Sequence, residues 1–542
     1  MIRERIFRIA LAMEIDRKGL GKSQLHPSIG ATGLCGNSIS GYTATEPGAP
    51  QLFIRNSIAH FTARILSLGA GLALIPLVTL TLGAEPLGLL GIYAMLQGML
   101  ALFDLGLPVI VNRQLAILSG RNNSHDARAQ LIRSLEVVFW GMAVIFLVTG
   151  LLLRDAFSSG WLNAEVLPHS VVATALVVII ASAAFRFPVA FYSNVLFGLG
   201  RHIYPNAVIG LAAILRITVA LVALIQFHVG IVGFFLTQLA VILIEIGLLV
   251  AGVWIRESHW NARPSLDSLT GLIGTAGILT GVSIAGAILA QIDKIILSKV
   301  LSLSEFGIYS AAYTLAAGLL ALSYPVGNAI FPSLSQSIDQ NKMKSLGHFV
   351  RIATELSILT LLPLGSVIVT QPKAVLEVLF FVRSFPPELA AILPFMVLGA
   401  LAHSFVTVPH MFMFAQNRAI VALWINVLLI VPYVILLVLC LKLLGIWGAA
   451  LAFAILNIVR LIVYWTALLR GKTAALWRPI PLLIIATAGL CLLAGWVAGL
   501  LPTHPPLEQL LAAVTWTALT GALVLVLPAS RGRILSYFDP DG

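Results

Sequence analysis

The chain has 542 residues, of which 59% are hydrophobic and only 10% are charged. A soluble globular domain carries about 25% charged residues, so this composition excludes a soluble enzyme or binding domain and predicts an all-α, multi-pass membrane protein. The formal net charge of +11 does not indicate nucleic acid, because membrane proteins gather Lys and Arg in cytoplasmic loops. Cys35, Cys440 and Cys491 lack metal-ligand spacing, and we expect no metal or other cofactor.

The amino-terminal 52 residues differ from the rest of the chain. They are charged at first and then rich in Gly, Ser, Thr and Pro, and Arg8 and Glu14 interrupt their short apolar run. This run lacks the continuous apolar core of a signal peptide. We expect residues 1–52 to form a disordered cytoplasmic tail.

Apolar runs long enough to cross about 30 Å of hydrocarbon follow one another from about residue 57. With the amino terminus inside, about 22 Lys and Arg residues fall in inner segments and 5 in outer ones. This bias predicts that both termini face the cytoplasm. The sequence predicts about fourteen spans, near 57–82, 89–112, 132–153, 168–197, 203–227, 229–255, 269–297, 304–330, 350–371, 388–413, 418–442, 444–469, 477–499 and 507–528.

Three pairs of matching segments indicate an internal repeat. Their offsets are about 215–217 residues, and they lie at the same places relative to the predicted spans. Six spans per repeat give both halves one orientation, which predicts two six-helix lobes around a central cavity. The matching pairs are "EPLGLLGIYA" (85–94) with "SEFGIYSAA" (304–312), "FGLGRHIYPNAVIG" (197–210) with "MFAQNRAIVALWIN" (413–426), and "VGIVGFF" (229–235) with "LGIWGAA" (444–450).

The repeat divides the chain into four predicted parts. The tail of residues 1–52 precedes a first half (the N-lobe, helices 1–6) at 53–258 and a second half (the C-lobe, helices 7–12) at 259–470. Residues 471–542 supply two C-terminal helices and a short cytoplasmic tail.

Two stretches carry a resemblance to a known family. They are "LGAEPLGLLGIYAML" (82–96) with "FDLGLPVIVNRQLA" (103–116), and "QIDKIILSKVLSLSEFGIYSAAYTL" (291–315) with "YPVGNAIFPSLSQ" (324–336). They resemble the polysaccharide-export (O-antigen or exopolysaccharide) flippases of the MATE-like MOP superfamily, over roughly residues 52–530. The resemblance implies a MATE-like fold, alternating access and the bacterial inner membrane. It also implies an undecaprenyl-pyrophosphate-linked oligosaccharide as cargo for lipopolysaccharide, capsule or exopolysaccharide, with membrane lipid and other polysaccharide-assembly proteins as partners.

Cations inside the apolar spans are the first candidate site residues, because a charge at the bilayer centre costs about 2.5–3.5 kcal/mol. Guanidinium groups bind phosphate oxygens in pairs and stay charged when desolvated, which suits a diphosphate cargo. The predicted cavity residues are Arg64, Arg186, Arg216 and His403.

The position of each residue in its span matters, and three of the four also have an explanation other than substrate binding. Arg216 lies near the middle of its span, and the repeat makes Arg186 and His403 equivalent at an offset of 217 residues. Arg64 could instead extend to lipid headgroups, and Arg186 could simply neutralise Asp104. His403 shares a helix face with His410, for which packing is the alternative.

A second set of residues is predicted to couple an ion or to gate the transporter: Asp104, Glu245, Asp293 and Arg460. Glu245 and Arg460 are equivalent in the repeat, and their opposite charges suggest an ion pair between the lobes that breaks during transport. Asp293 is followed directly by Lys294, and adjacent residues point to different faces of a helix. The coupling ion would be H⁺ or Na⁺.

Other functions remain open at this point. A lipid II flippase and a MATE-like drug exporter would have the same architecture. A membrane polysaccharide polymerase or ligase is disfavoured because no predicted outer loop exceeds roughly 20 residues. "GLGKS" (19–23) lacks the first glycine of a phosphate-binding loop, which argues against ATP hydrolysis. We therefore predict a transporter, not an enzyme, without catalytic residues.

Overall fold

The computed structural model describes residues 49–103, 107–119, 125–255, 263–265, 277–340, 342–381, 385–469, 478–499 and 506–526. These residues are helical apart from short connections and one isolated β-bridge between Asn163 and Ser302. The chain divides into two units, Met1–Ser57 and Ile58–Gly542. Residues 1–48 of the predicted tail lie outside the described residues.

The described helices follow the predicted spans in order. The first half of the chain contributes α1 (Ala49–Leu82), α2 (Ala84–Phe103), α3 (Leu107–Ser119), α4 (His125–Gly160), α5 (His169–Ala184), α6 (Arg186–Gly198), α7 (Ile203–Leu221) and α8 (Ile231–Trp254). The remainder contributes α9 (Gly277–Val300), α10 (Leu303–Asp339), α11 (Met343–Thr370), α12 (Pro372–Phe380), α13 (Pro387–Ala415), α14 (Ala419–Leu444), α15 (Ile446–Leu469), α16 (Pro479–Gly499) and α17 (Pro506–Val526).

Length and composition confirm the prediction of an all-α, multi-pass membrane protein. Within the described residues, twelve helices are long and apolar enough to cross a membrane, and a shorter apolar helix covers Leu510–Ala522. Large apolar side chains are exposed on them, such as Leu428 at 67% and Leu482 at 72%. An apolar exterior of this kind is stable against lipid but not against water.

The fourth predicted span is broken at Phe185 into α5 and α6. Pro188 has no N–H to donate to the carbonyl of Ala184, and its ring crowds that carbonyl, so the helix bends just before it. Arg186 is consequently the first residue of α6. The break places a charged side chain at a helix start within an apolar span.

Two turns support the repeat at the level of backbone geometry. Gly200 has φ +75° and Asn417 has φ +57°, and their repeat offset is 217 residues. The following N–H groups bond back into the preceding helix in the same way, from Arg201 to Leu196 O at 2.9 Å and from Arg418 to Met413 O at 2.8 Å. Glycine and asparagine are the residues that adopt this left-handed helix ending most readily.

Helix packing follows the same plan in both halves. In the first half α5 packs against α2, α4 and α8, and in the second half α13 packs against α10, α11 and α15. The halves meet where α2 packs against α9 and α10, while α16 and α17 pack on each other and on α11. The predicted lobe boundaries at 258–259 and 470–471 lie outside the described residues.

Glycine allows the two halves to approach closely. A Cβ on Gly88 would lie 2.1 Å from the carbonyl oxygen of Leu303, and a Cβ on Gly307 would lie 2.5 Å from Gly88 N. No side chain fits at either position without moving the helices apart. Both glycines lie in the "EPLGLLGIYA" and "SEFGIYSAA" segments that revealed the repeat.

Candidate functional site

Three charged side chains of the first half meet inside the protein, and we call them the arginine–glutamate cluster: Arg186, Arg216 and Glu245. Arg186 Nη1 lies 3.2 Å from Glu245 Oε2, and Arg216 Nη2 donates to the same oxygen. Glu245 is 2% exposed, whereas the arginines are 15% and 17% exposed. One carboxylate is therefore fully buried, while both arginine side chains keep some exposed surface.

The helix break and the sequence spacing explain how these residues meet. Arg186 starts α6, Arg216 lies on α7 and Glu245 lies on α8, and α6 and α7 both pack against α8. Arg186 pairs with Glu245, and its predicted pairing with Asp104 stays a prediction. Asp104 itself lies outside the described residues.

The cluster carries excess positive charge. Two guanidinium charges and one carboxylate charge sum to +1. The Nε atoms of Arg186 and Arg216 are buried without a hydrogen-bond partner among the described residues. Buried donors of this kind are costly when unpaired, and an anion is the group that satisfies them. The cluster is thus chemically suited to receive an anionic ligand.

A cavity of about 200 Å³ adjoins Arg216 at the meeting point of the two halves. The first half contributes Arg216, Gln238 and Tyr93 to its lining, and α10 of the second half contributes Ser310 and Thr314. Gln238 Nε2 also donates to the carbonyl oxygen of Arg216 at 3.4 Å, which fixes this turn of α7. Sequence reasoning did not single out Tyr93 or Gln238, because neither is charged.

The equivalent positions of the second half also meet. Arg460 Nη1 lies 3.5 Å from His403 Nδ1, which is 3.1 Å from Asn457 Oδ1. The Arg460 guanidinium also lies 5.8 Å from the centroid of the Tyr464 ring. No carboxylate among the described residues pairs with Arg460. We call this the histidine–arginine pair.

These contacts correct the predicted ion pair between the lobes. Glu245 is bonded to the two arginines of its own half, and Arg460 lies against His403 of its own half. The Glu245–Arg460 pair is therefore not formed in this conformation. The physical reason is the helix packing within each half. In the first half α6 and α7 pack against α8, which carries Glu245, and in the second half α13 packs against α15, which carries Arg460.

Arg64 and His410 are the remaining basic candidates, and His410 adjoins the histidine–arginine pair through the Tyr464 ring. Arg64 is exposed on α1. The His410 ring packs 4.6 Å from that of Phe414 and 5.8 Å from that of Tyr464.

Asp293 is neutralised within its own helix. Lys294 Nζ lies 3.2 Å from Asp293 Oδ1, and Tyr309 donates to Oδ2 at 2.6 Å. Lys294 Nζ also lies 3.6 Å above the ring of Tyr313. The expectation that adjacent residues point apart is wrong here, because the long lysine side chain folds back to the carboxylate. The carboxylate already holds an ammonium group where a coupling ion would bind.

Sequence reasoning missed the polar contacts that close one end of the interface between the halves. Glu85 accepts hydrogen bonds from the backbone N–H groups of Glu165, Val166 and Leu167 at 2.5–2.9 Å. Asn163, in the same segment, donates from Nδ2 to the carbonyl oxygen of Lys299 at 2.9 Å.

The same segment bonds directly to the start of α10. Leu303 N donates to Asn163 O at 2.8 Å. The only signal in the sequence was the acidic residue Glu85 at the start of an apolar span. The segment 161–167 therefore links the first half to the second.

A family model matches most of the first half and part of the second. It is described as "Polysaccharide biosynthesis protein" and matches residues 53–338, which is more than half of the 542-residue chain. The search of curated proteins found no match.

Solved structures share the fold at low sequence identity. An inward-facing multidrug resistance MATE family transporter of the MOP superfamily has a TM-score of 0.62 and 16% identity, covering 78% of this chain and 98% of its own. The lipid II flippase MurJ, in an inward closed conformation, has a TM-score of 0.66 and 13% identity, covering 87% and 99%. A variant of the Vibrio cholerae MATE transporter VcmN has a TM-score of 0.52 and 18% identity, covering 78% and 99%. These likenesses confirm the MATE-like fold that the sequence resemblance implied.

Proposed function

Because the chain belongs to the polysaccharide biosynthesis protein family, within the MOP superfamily, we propose that it flips an undecaprenyl-pyrophosphate-linked oligosaccharide across the bacterial inner membrane. The product would serve O-antigen, capsule or exopolysaccharide assembly. The observation that carries this proposal is the arginine–glutamate cluster, in which two partly accessible arginines share one buried carboxylate.

A diphosphate must lose its water to cross the membrane, and this step needs fixed countercharge. Arg186 and Arg216 offer guanidinium edges that bind phosphate oxygens without a change of protonation state. Glu245 holds both arginines in place while the site is empty, since two bare cations would repel each other at this depth. On binding, the diphosphate adds the negative charge that the cluster lacks.

The cations of the second half would receive the same group later in the cycle. His403 and Arg460 occupy the positions equivalent to Arg186 and Glu245, so a rocking motion of the halves moves the two sets relative to one another. Arg64, which is exposed on α1, would attract the anion toward the cavity. We assign Asp104 to coupling with H⁺ or Na⁺, and Glu245 and Asp293, whose carboxylates already pair with cationic side chains, to gating.

We assign this conformation to the inward-facing state. In the predicted topology the segments 161–167 and 300–303 lie on the outer side of the membrane, and both termini lie in the cytoplasm. Glu85 fixes residues 165–167 within the first half, and the hydrogen bonds of Asn163 hold the two segments together. Transport to the outer side would require these bonds to break.

Two other transport functions fit the same fold. A lipid II flippase is supported by the likeness to MurJ, and a drug exporter by the likeness to the multidrug resistance MATE transporter. An excess positive charge within the membrane favours an anionic cargo over a cationic drug. The oligosaccharide cargo is preferred because the family model is that of polysaccharide biosynthesis proteins.

The position of the carrier-linked sugar in cells without this protein tests the proposal. Such cells should lose the surface polysaccharide and accumulate carrier-linked oligosaccharide on the cytoplasmic face, protected from a probe that reaches only the outer face. Sensitivity to cationic drugs should not change. Accumulation on the outer face would indicate a polymerase or ligase. Loss of cell-wall synthesis with intact surface polysaccharide would indicate lipid II as cargo.

A further inference from the structure

An apolar cleft of about 370 Å³ lies between α2, α4 and α5, with contributions from α6 and α9. Of the described lining residues, only Thr149, Trp161 and Ser298 carry side-chain N–H or O–H groups. The remaining side chains are aliphatic, aromatic or thioether groups. A ligand of this cleft is therefore hydrocarbon along most of its length.

The cleft has a buried wall and an open wall. On the buried wall, Ile180 is 5% exposed and Phe187 is 2% exposed. On the open wall, Ile145, Leu153 and Phe157 of α4 are 68%, 45% and 37% exposed. These residues of α4 belong to an apolar, membrane-length helix, so the open wall faces lipid. Hydrocarbon from the bilayer can enter from the side without crossing water.

One end of the cleft is polar and positively charged. Trp161 Nε1 donates to Ser298 Oγ at 3.0 Å, and Lys299 Nζ lies 4.8 Å from the centroid of the Trp161 ring. Lys299 is exposed, and no carboxylate among the described residues pairs with it. Tryptophan and lysine at a helix end mark the level of the lipid headgroups. An anionic headgroup is the complement of this end.

We propose that this cleft binds one acyl chain of an anionic phospholipid, with the lipid phosphate beside Lys299. The site is separate from the arginine–glutamate cluster and does not depend on the identity of the transported cargo. Leu162, buried in its wall, directly precedes Asn163, whose bonds link the two halves. A bound chain packs against this segment and favours the conformation in which the link is intact.

Quenching of tryptophan fluorescence by brominated lipid tests the proposal, since Trp161 lies in the cleft. The purified full chain is reconstituted into phosphatidylcholine vesicles and titrated with dibrominated phosphatidylglycerol. The protein has ten tryptophans, so the signal of Trp161 is taken as the difference between wild type and Trp161→Phe. We expect a saturable component that unbrominated phosphatidylglycerol displaces. If Trp161→Phe does not fold, Phe157→Trp in the wild-type chain serves as a second reporter and should add to the saturable quenching.

Variants of the cleft separate specific binding from bulk lipid contact. Thr149→Phe fills the cleft and should remove the saturable component. Val148→Phe, on the adjacent residue that does not line the cleft, should leave it unchanged. Lys299→Gln should reduce the preference for phosphatidylglycerol over phosphatidylcholine about fivefold. Equal quenching in Thr149→Phe and Val148→Phe, or quenching that rises only in proportion to the bulk lipid, would overturn the proposal.

Discussion

Arg186 Nη1 lies 3.2 Å from Glu245 Oε2, and their repeat-equivalents His403 and Arg460 approach to 3.5 Å in the second half. The same two positions thus form a polar contact in both halves. The first position is an arginine in the first half and a histidine in the second, and the second position is a glutamate in the first half and an arginine in the second. In the first half the contact contains a carboxylate and a second arginine, Arg216. The second half presents a cation with no carboxylate partner among the described residues. Duplication has given one geometry two different electrostatic characters.

The first prediction concerns Arg186. Arg186→Ala should abolish transport, because the alanine removes a phosphate ligand, and Arg186→Lys should retain part of it, because the charge remains without the paired donors. Surface polysaccharide in complemented cells is the readout, with protein level in the membrane as the control. Normal surface polysaccharide with Arg186→Ala would show that Arg186 is not needed for transport and has a purely structural role.

The second prediction concerns the stability that Glu245 contributes. Glu245→Gln leaves two buried arginines without a countercharge, and breaking such a buried pair costs about 3–5 kcal/mol. Adding Arg216→Gln should recover part of the loss, because one uncompensated cation is removed. Thermal unfolding in detergent measures both effects.

The matched control for Glu245 is Glu355→Gln. Glu355 pairs with Arg351 at 2.6 Å but is 25% exposed, so its loss should cost about 0–1 kcal/mol. Equal shifts for Glu245→Gln and Glu355→Gln would show that the cluster is not the stabilising network described above.

The third prediction concerns Glu85, which holds residues 165–167 next to Asn163, the residue that links the two halves. Its carboxylate accepts three backbone N–H groups, each worth about 1.5–3 kcal/mol for a charged acceptor. Glu85→Ala should therefore free the segment 165–167 and lengthen the distance between spin labels placed at the exposed residues Val166 and Val300. Glu165→Gln changes a neighbouring acid whose side chain is exposed, and it should leave the distance distribution as in wild type. An unchanged distribution in Glu85→Ala would mean that the link does not hold this conformation.

The fourth prediction concerns the left-handed turn at Asn417, the repeat-equivalent of Gly200. Asn417→Gly should be tolerated at φ +57°, whereas Asn417→Val should destabilise the protein by about 1–2 kcal/mol because a β-branched side chain crowds the backbone in the left-handed region. Gln416→Val, at φ −79°, is the control and should cost less. Unfolding midpoints in denaturant give the comparison, and equal midpoints for the two valine variants would contradict the assignment.

The sequence was sufficient to predict the fold class and the equivalent positions, because apolar length and the repeat offset are both properties of local sequence. The partners within each half were not predictable. Arg186 meets Glu245 because α6 and α7 both pack against α8, and an offset of 215–217 residues does not specify this packing. Asp293 and Lys294 bond to each other through side-chain length, which helix-face arguments ignore.

Glu85 illustrates a second limit of sequence reasoning. Its partners are backbone N–H groups about 80 residues away in the chain, and a backbone donor has no signature in composition or periodicity. Only the packing of the segment 161–167 over the start of α2 brings them together. A lone acid at the start of a span is therefore a signal whose meaning depends on the tertiary structure.

Binding of the lipid-linked diphosphate by purified protein tests the central claim most directly. The affinity of an undecaprenyl-pyrophosphate-linked sugar should be compared for wild type, Arg216→Gln and Arg113→Gln, the last being an exposed arginine of α3. The account predicts that Arg216→Gln weakens binding about tenfold or more, since a charge-assisted hydrogen bond is worth about 1.5–3 kcal/mol, while Arg113→Gln binds as wild type. Equal affinity for Arg216→Gln and wild type would contradict it.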